Sequence, residues 1–368
     1  KTQIFNSIIA ALFFYLIPYF GIAPKTMLFI YLFVSFILIL AWRIYGESLF
    51  GFKEREKAIL IGSGEEMHDL KNEVNNNSRY SLEFVSSIDL DKIDSLDFQS
   101  EISDRIYTEG ISIIVIDFLN KKVEPILPHL YNLIFSKIKF VDTHKIYEDI
   151  FDRVPLSLLK YNWFLENISF AQKIGYDSLK RGMDTGLSLL LGIVSLVFYP
   201  FVILFIKLDD GGPIFISQER VGQNNKIIKI AKFRSMSVND DGLAEKEKGQ
   251  KITRAGRFLR KTRIDELPQL WSILKGDMSL VGPRPEMPSL VKLYEKEIPY
   301  YNIRHLIKPG LSGWAQLYHR TPPKFDASSN ETKIKLSYDL YYIKNHSFLL
   351  DLKIALKTLK ALLSRSGV

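Results

Sequence analysis

Apolar residues are spread unevenly along the chain. Ile4 to Phe20 is almost wholly apolar, Gly21-Ile22-Ala23-Pro24-Lys25 interrupts it as a turn, and Met27 to Trp42 is apolar again before Arg43, Lys53, Arg55 and Lys57. Each run is close to the roughly 20 residues that cross a bilayer core. Neither run has the polar face of a helix at a water boundary. Residues 1–50 are therefore predicted to form a transmembrane hairpin, and the basic residues after it place the following chain in the cytoplasm. A third apolar run, residues 182–207, is interrupted by Pro200. Lys180 and Arg181 precede it and Lys207 follows it, so both flanks carry the charge of the inner face. With a proline to break it, this segment is predicted to enter and leave the membrane on the same side, as a re-entrant helix.

Between these apolar segments, residues 51–167 read as an α/β unit. Ala58-Ile59-Leu60-Ile61 is a short apolar strand running into Gly62-Ser63-Gly64, and Gly110 to Phe118 and Ile138 to Val141 are further buried strands separated by polar helical stretches. Alternating strands and helices predict a parallel, doubly wound sheet. Gly62 and Gly64 stand where a dinucleotide-binding turn begins. Met67 holds the place of the third glycine, however, and Asp89 lies at a loose distance for a ribose contact. The unit is thus expected to be Rossmann-like, with no dinucleotide bound.

Composition changes this picture in two respects. The 368-residue chain has no cysteine, which excludes disulfides, thiolate metal sites and cysteine nucleophiles. Its net charge of +8 favours an anionic partner: a phospholipid surface, a phosphorylated metabolite or nucleic acid. Nucleic acid is set aside, because no recognition motif is present and the basic region adjoins a membrane segment.

The densest chemistry lies in Thr262-Arg263-Ile264-Asp265-Glu266-Leu267-Pro268-Gln269-Leu270. Leu267, Leu270, Trp271 and Leu274 follow helical spacing and Gly276 is a stop, so a helix is predicted to begin near Asp265. Taken alone, Asp265 reads as a helix N-cap. Its surroundings suggest more: Arg254, Arg257, Arg260, Lys261 and Arg263 lie upstream, Arg284 sits in the rigid turn Gly282-Pro283-Arg284-Pro285, and Lys232 and Arg234 flank Phe233. Cations gathered around paired carboxylates suit a diphosphate ligand. Lys232, Arg234, Arg260 and Arg284 are the candidate phosphate contacts. A carboxylate can attack phosphorus once those charges are neutralised. A divalent cation, Mg2+ or Mn2+, held in part by Asp265, would screen the approach.

These blocks resemble the bacterial sugar transferases, or polyprenyl-phosphate hexose-1-phosphate transferases. The likeness runs from about Lys180 to Val368 and includes Lys232-Phe233-Arg234-Ser235-Met236, Asp265-Glu266-Leu267-Pro268-Gln269, Lys275-Gly276-Asp277-Met278-Ser279 and Val281-Gly282-Pro283-Arg284-Pro285. It continues through Lys308-Pro309-Gly310-Leu311-Ser312-Gly313-Trp314-Ala315-Gln316 and Tyr338-Asp339-Leu340-Tyr341-Tyr342. The resemblance implies that Asp265 attacks the β-phosphate of a UDP-sugar, releases UMP, and passes the phosphosugar to undecaprenyl phosphate, with Glu266 as the second member of the dyad. It further implies a place in the bacterial inner membrane, the active site on the cytoplasmic face, and the first membrane step of capsule, exopolysaccharide or O-antigen synthesis. The N-terminal half resembles the long form of the family, for which a homodimer is compatible. One departure is that Tyr199, not a serine, precedes Pro200.

The predicted architecture is an α/β membrane protein: hairpin (1–50), Rossmann-like domain (51–167), then a mainly helical catalytic domain (168–368) carrying the re-entrant helix. Two rival functions stand beside it. One is a nucleotide-sugar oxidoreductase or epimerase built on Gly62-Ser63-Gly64, and the other a non-enzymatic membrane scaffold for polysaccharide export. Trp314, Tyr341 and Tyr342 are expected as core or interface aromatics, and the basic amphipathic stretch Phe348 to Leu363 either lies on lipid or packs on the core.

Overall fold

A computed structural model describes residues 30–42 apart from 32 and 41, and residues 55–91, 98–168, 174–237, 252–319 and 329–364. The first limb and turn of the expected hairpin lie outside the described residues. In the second limb, the described residues of 30–42 are helical, with Phe33, Phe36, Leu38 and Trp42 exposed.

The N-terminal α/β unit is built as its pattern predicts. Strands β1 (Glu56–Gly62), β2 (Leu82–Asp89), β3 (Ile113–Ile116) and β4 (Lys139–Asp142) form one sheet in the order β2-β1-β3-β4, and every pair is parallel. The central strands are buried on both faces because helices cover both. Ile59, Ile61, Ile114 and Ile116 pack on one side, and Ala58, Leu60, Ile113 and Val115 on the other. Helices α1 (Glu65–Asn76) and α2 (Phe98–Glu109) connect the first three strands, and α3 (Thr143–Phe151) follows the fourth. Gly62 ends β1 directly beside Asp89 at the end of β2. The Met67 side chain lies against Gly62, where a Cβ would stand 3.1 Å from its sulfur. Glu65 and Glu66 occupy the first turn of α1, and the Glu66 carboxylate accepts from the Ser157 amide at 3.0 Å.

The stretch after α3 belongs structurally to the C-terminal half. Val154, Leu159, Trp163 and Phe164 share a core with Tyr294, Ile298, Leu336, Leu340 and Ile343. Trp314 donates its indole N–H to the Asp152 carbonyl (2.8 Å), and Lys344 pairs with Glu148 (2.8 Å). Both Trp314 and Tyr342 are buried, as expected of core aromatics, and Tyr341 stacks on Trp314.

Helix α4 (Ile174–Leu196) begins earlier than the apolar run because its first half is a docking face. Lys180 pairs with the buried Asp351 at 2.7 Å, Arg181 donates to the carbonyls of Ile273 and Leu274 (2.7 Å each), and Asp184 accepts from the Leu280 amide at 3.0 Å. Lys180 and Arg181 are therefore internal ties rather than flanking surface charges. From Leu187 onward the helix exposes Leu189, Leu190, Leu191, Ile193, Val194 and Leu196. Helix α5 (Tyr199–Asp210) follows after a 54° bend. The break falls at Val197-Phe198, ahead of Pro200, which sits in the first turn of α5 where a missing amide is tolerated. The buried Ser195 hydroxyl donates to the Gly192 carbonyl (2.7 Å), so a serine does serve the break, one turn before the position occupied by Tyr199. Among the described residues no single helix is long and apolar enough to cross a membrane, whereas this bent pair passes as a broken span or re-entrant loop.

The rest of the C-terminal half comprises the antiparallel hairpin β5 (Phe215–Val221) and β6 (Ile227–Phe233), helices α6 (Arg254–Thr262) and α7 (Gln269–Lys275), and a short parallel pair, β7 (Ser279–Val281) with β8 (Gly310–Ser312). Helices α8 (Pro288–Glu297), α9 (Ser329–Asn345) and α10 (Phe348–Leu363) complete it. Helix α10 turns Asp351 and Ile354 into the core and leaves Leu349, Leu352, Leu356, Leu359 and Leu362 exposed. Its lysines are not simply solvated: Lys353 and Lys357 lie over the Trp314 ring at 4.8 and 5.5 Å.

Candidate active site

Three local devices bring the chemistry together. The first is the elbow between α6 and α7. Thr253 caps α6 by accepting from the Gly256 amide (2.8 Å), and α6 ends when Arg263 takes a left-handed conformation (φ 59°). A non-glycine residue held there is strained, as is common where a site is pre-organised. Arg263 turns the chain into a single 3-10 turn, Ile264–Glu266, so Asp265 and Glu266 lie in the elbow rather than at the cap of a longer helix. Helix α7 then runs to Gly276, whose φ of 95° closes it as the sequence predicts.

The second device is β6. Strand alternation sends Lys232 to one face and Phe233 to the other. Phe233 is fully buried with Val202, Ile206 and Leu259. Lys232 reaches Glu266 at 3.8 Å. The third device is the turn after β7. Gly282 and Gly310 touch backbone to backbone: a Cβ on Gly310 would lie 2.1 Å from the Gly282 nitrogen. The turn presents Arg284, which donates to Glu266 Oε1 at 3.1 Å, while Arg263 stands 3.6 Å from the same oxygen.

The two adjacent carboxylates consequently differ. Burial disfavours the Glu266 charge, but Arg284, Lys232 and Arg263 more than offset it and hold the group down at about pKa 2. Asp265 is raised to about 6, first by burial and then by the Glu266 charge, with Lys232, Arg263 and Arg260 opposing. Burial lowers Lys232 to about 8 against the pull of Glu266. Among the described residues, Asp265 Oδ1 is buried and has no hydrogen-bond partner. One carboxylate is neutralised by cations, and its neighbour has an uncommitted oxygen.

Lys232, Arg263 and Arg284 thus meet the pair at Glu266, whereas Arg260 donates to the Ser235 hydroxyl at 2.9 Å and acts on Asp265 through its charge. Arg234 is spent differently. Its buried guanidinium donates to the carbonyls of Pro213 (2.6 Å) and Met236 (3.2 Å), so it staples the backbone behind β6 instead of joining the carboxylates. Arg254, Arg257 and Lys261 are on the exposed side of α6. Two further arginines belong to the arrangement. Arg220 shares a cavity of about 20 Å³ with Lys232, Arg284 and Gln269. Arg304 is buried, donates to the Arg284 carbonyl (3.0 Å) and is ion-paired with Asp339 (2.7 Å), fixing the turn that carries Arg284. It lies outside every charged block near Asp265, so sequence reasoning passed over it.

Among the described residues no group of three or more His, Cys, Asp or Glu is placed to hold a metal. Glu266 is committed to cations, which leaves Asp265 as the one carboxylate of the pair that could contribute to holding such an ion. That set fits a hard divalent ion held chiefly by substrate phosphates and water, as Mg2+ commonly is.

A cationic cluster around a carboxylate pair, one oxygen of which has no partner among the described residues, thus stands in the same half of the chain as a bent apolar helix pair. The family model for bacterial sugar transferases matches residues 175–365, and the chain belongs to that family. It is 43% identical over 199 residues to the UDP-N-acetylgalactosamine-undecaprenyl-phosphate N-acetylgalactosaminephosphotransferase of Aeromonas hydrophila, covering 52% of this chain and 45% of that protein. It is 40% identical to the exopolysaccharide production protein PSS of Rhizobium leguminosarum bv. phaseoli, over 51% of this chain and 96% of that one. Similarity to the undecaprenyl-phosphate glucose phosphotransferase of Komagataeibacter xylinus is 30% but extends over 83% of this chain and 58% of the relative. The match to the Aeromonas protein thus spans less than half of that relative's length.

Proposed function

We propose that this chain transfers a sugar 1-phosphate from a UDP-sugar to undecaprenyl phosphate, with a covalent phosphosugar on Asp265 between two displacements. The observation that carries the proposal is the unequal carboxylate pair. Asp265 has a buried, unpartnered oxygen and ionises near pH 6, while Glu266 stays charged and absorbs the cations. In the first displacement an Asp265 oxygen attacks the sugar-bearing phosphorus. The bridging P–O bond breaks and UMP leaves with the electron pair. In the second, an oxygen of the polyprenyl phosphate attacks the same phosphorus, and the Asp265 carboxylate is regenerated. Arg220, Lys232 and Arg284 line the cavity in which phosphoryl oxygens would be bound. Mg2+ or Mn2+ beside Asp265 would supply charge neutralisation of the diphosphate. The decisive assay is UMP release, which should stop at about one equivalent per chain with a UDP-sugar alone and continue catalytically only when polyprenyl phosphate is added. It is run over a panel of sugars, because the relatives' names differ in the sugar they carry. No UMP from any UDP-sugar would leave the scaffold reading standing.

Removing Lys232 or Arg284 is expected to cost more than loss of one charge-assisted contact, about 1.5–3 kcal/mol, because each also balances Glu266. The expected drop in kcat/KM of Lys232→Ala and Arg284→Ala is therefore at least about tenfold. Unchanged steady-state kinetics would remove the residue from the site. Arg234→Ala is expected to lower folded yield rather than to change KM.

The oxidoreductase reading finds little support in the Rossmann-like unit. Glu65 and Glu66 occupy the helix N-terminus where a pyrophosphate would bind, and carboxylates there oppose a second anion. We propose that the unit acts without a dinucleotide.

We also propose that the bent pair α4–α5 is re-entrant, in the bacterial inner membrane with the active site on the cytoplasmic face. Both of its ends are tied to one catalytic domain. Lys180, Arg181 and Asp184 dock the start, while Asp209 accepts from the Ala255 amide (2.8 Å) and Ile206 packs with Phe233 at the end. A full crossing would pull one set of ties apart. Single cysteines at the exposed positions Ser178→Cys and Lys207→Cys are expected to react with an impermeant reagent only from the cytoplasmic side. The cysteine-free background makes this direct, and labelling of Lys207→Cys from outside would refute re-entry.

A further inference from the structure

We infer that the protein has a lipid-binding groove, separate from the carboxylate cluster, that takes the phosphate headgroup of an anionic membrane phospholipid. The groove has a volume of about 330 Å³. Tyr199, Phe215 and Trp271 form its apolar wall, and Lys229, Lys275 and Asp277 its polar end.

Two periodicities place it. On β6, Lys229 and Ala231 line this groove, while Ile230 and Lys232 line the small cationic cavity near Glu266. That is the two-residue alternation of a strand. On α7, Trp271, Ser272 and Lys275 recur with Pro268 at helical spacing and line the groove, whereas Gln269 lines the other cavity. The two cavities are therefore back to back across one strand and one helix. A phosphate seated in the groove faces away from the side on which Lys232 meets Glu266, so this is a lodging site and not a reacting one.

Two further observations say that the occupant is a lipid. The apolar wall is continuous with the bent helix pair. The Trp271 ring lies against α4, where a Cβ on Gly192 would meet it at 3.7 Å, and its indole N–H donates to the Tyr199 hydroxyl at 3.3 Å. Tyr199 is the first residue of α5, and Val197, Phe198 and Phe201 beside it are exposed. Aromatic side chains with polar tips at such a border are the usual markers of the headgroup layer. The charge at the polar end also suits a phosphate. Lys229 is exposed and makes no hydrogen bond or ion pair among the described residues, and Lys275, 77% exposed, is paired with Asp277 at 3.1 Å. Lysines bind phosphate as mobile point charges. The inference rests on the membrane placement of the bent pair and is independent of the transfer reaction.

The test is native mass spectrometry of the full chain released from detergent and titrated with phosphatidylglycerol, with phosphatidylcholine as the zwitterionic control. One phosphatidylglycerol is expected to be retained selectively. Retention should fall at least about tenfold in Lys229→Ala/Lys275→Ala, since loss of even one of the two charged contacts would cost about that much, while UMP release in detergent is unchanged. Ser272→Trp, which fills the groove without touching either lysine, should also lose the lipid. Equal retention by the double variant, equal retention of phosphatidylcholine, or displacement by undecaprenyl phosphate would each overturn the inference, the last by making the groove the acceptor's own. A single cysteine on the bent pair, Leu190→Cys in liposomes, separates the two premises, because the N-terminal hairpin could float the chain by itself. Free labelling of that cysteine by a water-soluble reagent refutes the membrane placement, whereas a protected cysteine in a chain that retains no phosphatidylglycerol refutes the groove alone.

Discussion

Asp265→Asn is expected to abolish both UMP release and the covalent phosphosugar adduct, a loss on the order of 10^4-fold or more in turnover. The amide keeps the size and position of the side chain in the elbow but lacks the anionic oxygen that would attack phosphorus and become the bridging oxygen of an acyl phosphate. Burial and the Glu266 charge raise Asp265 to about 6, so the wild-type group would be ionised and uncommitted at neutral pH, as the proposed nucleophile has to be. Intact-protein mass spectrometry after addition of UDP-sugar alone is the measurement. The wild type should gain the mass of one phosphosugar and Asp265→Asn none. An adduct on the Asn variant would move the nucleophile elsewhere and remove the central step of the proposed reaction.

Glu266→Gln is expected to cost about 10^2–10^3-fold, as removal of one pre-organised electrostatic group typically does, and to move the pH profile in a defined direction. In the wild type kcat/KM should rise through pH 6 as Asp265 ionises and fall through pH 8 as Lys232 loses its proton. Glu266, held near 2, stays charged across that window. Its negative charge raises both neighbours. Removing it should therefore shift the acid limb and the alkaline limb to lower pH together. A low activity with both limbs unmoved would show that Glu266 supports the site only through packing.

Much of this was legible in the sequence for a simple reason. Strand β1, with its apolar run ending in Gly62-Ser63-Gly64, and the parallel sheet around it follow from periodicity and turn residues. The carboxylate pair, Lys232 and Arg284 follow from clustered charge. What was not legible depends on where a long side chain ends. Arg234 and Arg260 are both near Ser235, yet one staples carbonyls of the main chain and the other donates to the Ser235 hydroxyl, with its charge still felt by Asp265. No spacing rule separates them. Arg304 was missed because its role is to hold a carbonyl, which any residue provides. The break two residues before Pro200 was displaced because a proline's ring strains the turn ahead of it while its own position is comfortable in a first turn. Lys180 and Arg181 read as topogenic charges, whereas their partners lie far away in sequence, at Asp351 and at the end of α7.

Helix α4 docks through its first half and is apolar thereafter, and its length in the apolar half is short. From Thr185 to Leu196 an α-helix rises about 18 Å, against a hydrocarbon core of about 30 Å. A segment of that reach, turning back at Val197-Phe198, would occupy one leaflet only. Hydrophobic mismatch, which sorts spanning helices among bilayers of different thickness, would then have no hold on this half of the protein. The wedge would instead add area to the inner leaflet alone, making its insertion energy a function of membrane curvature and of lateral pressure in that leaflet.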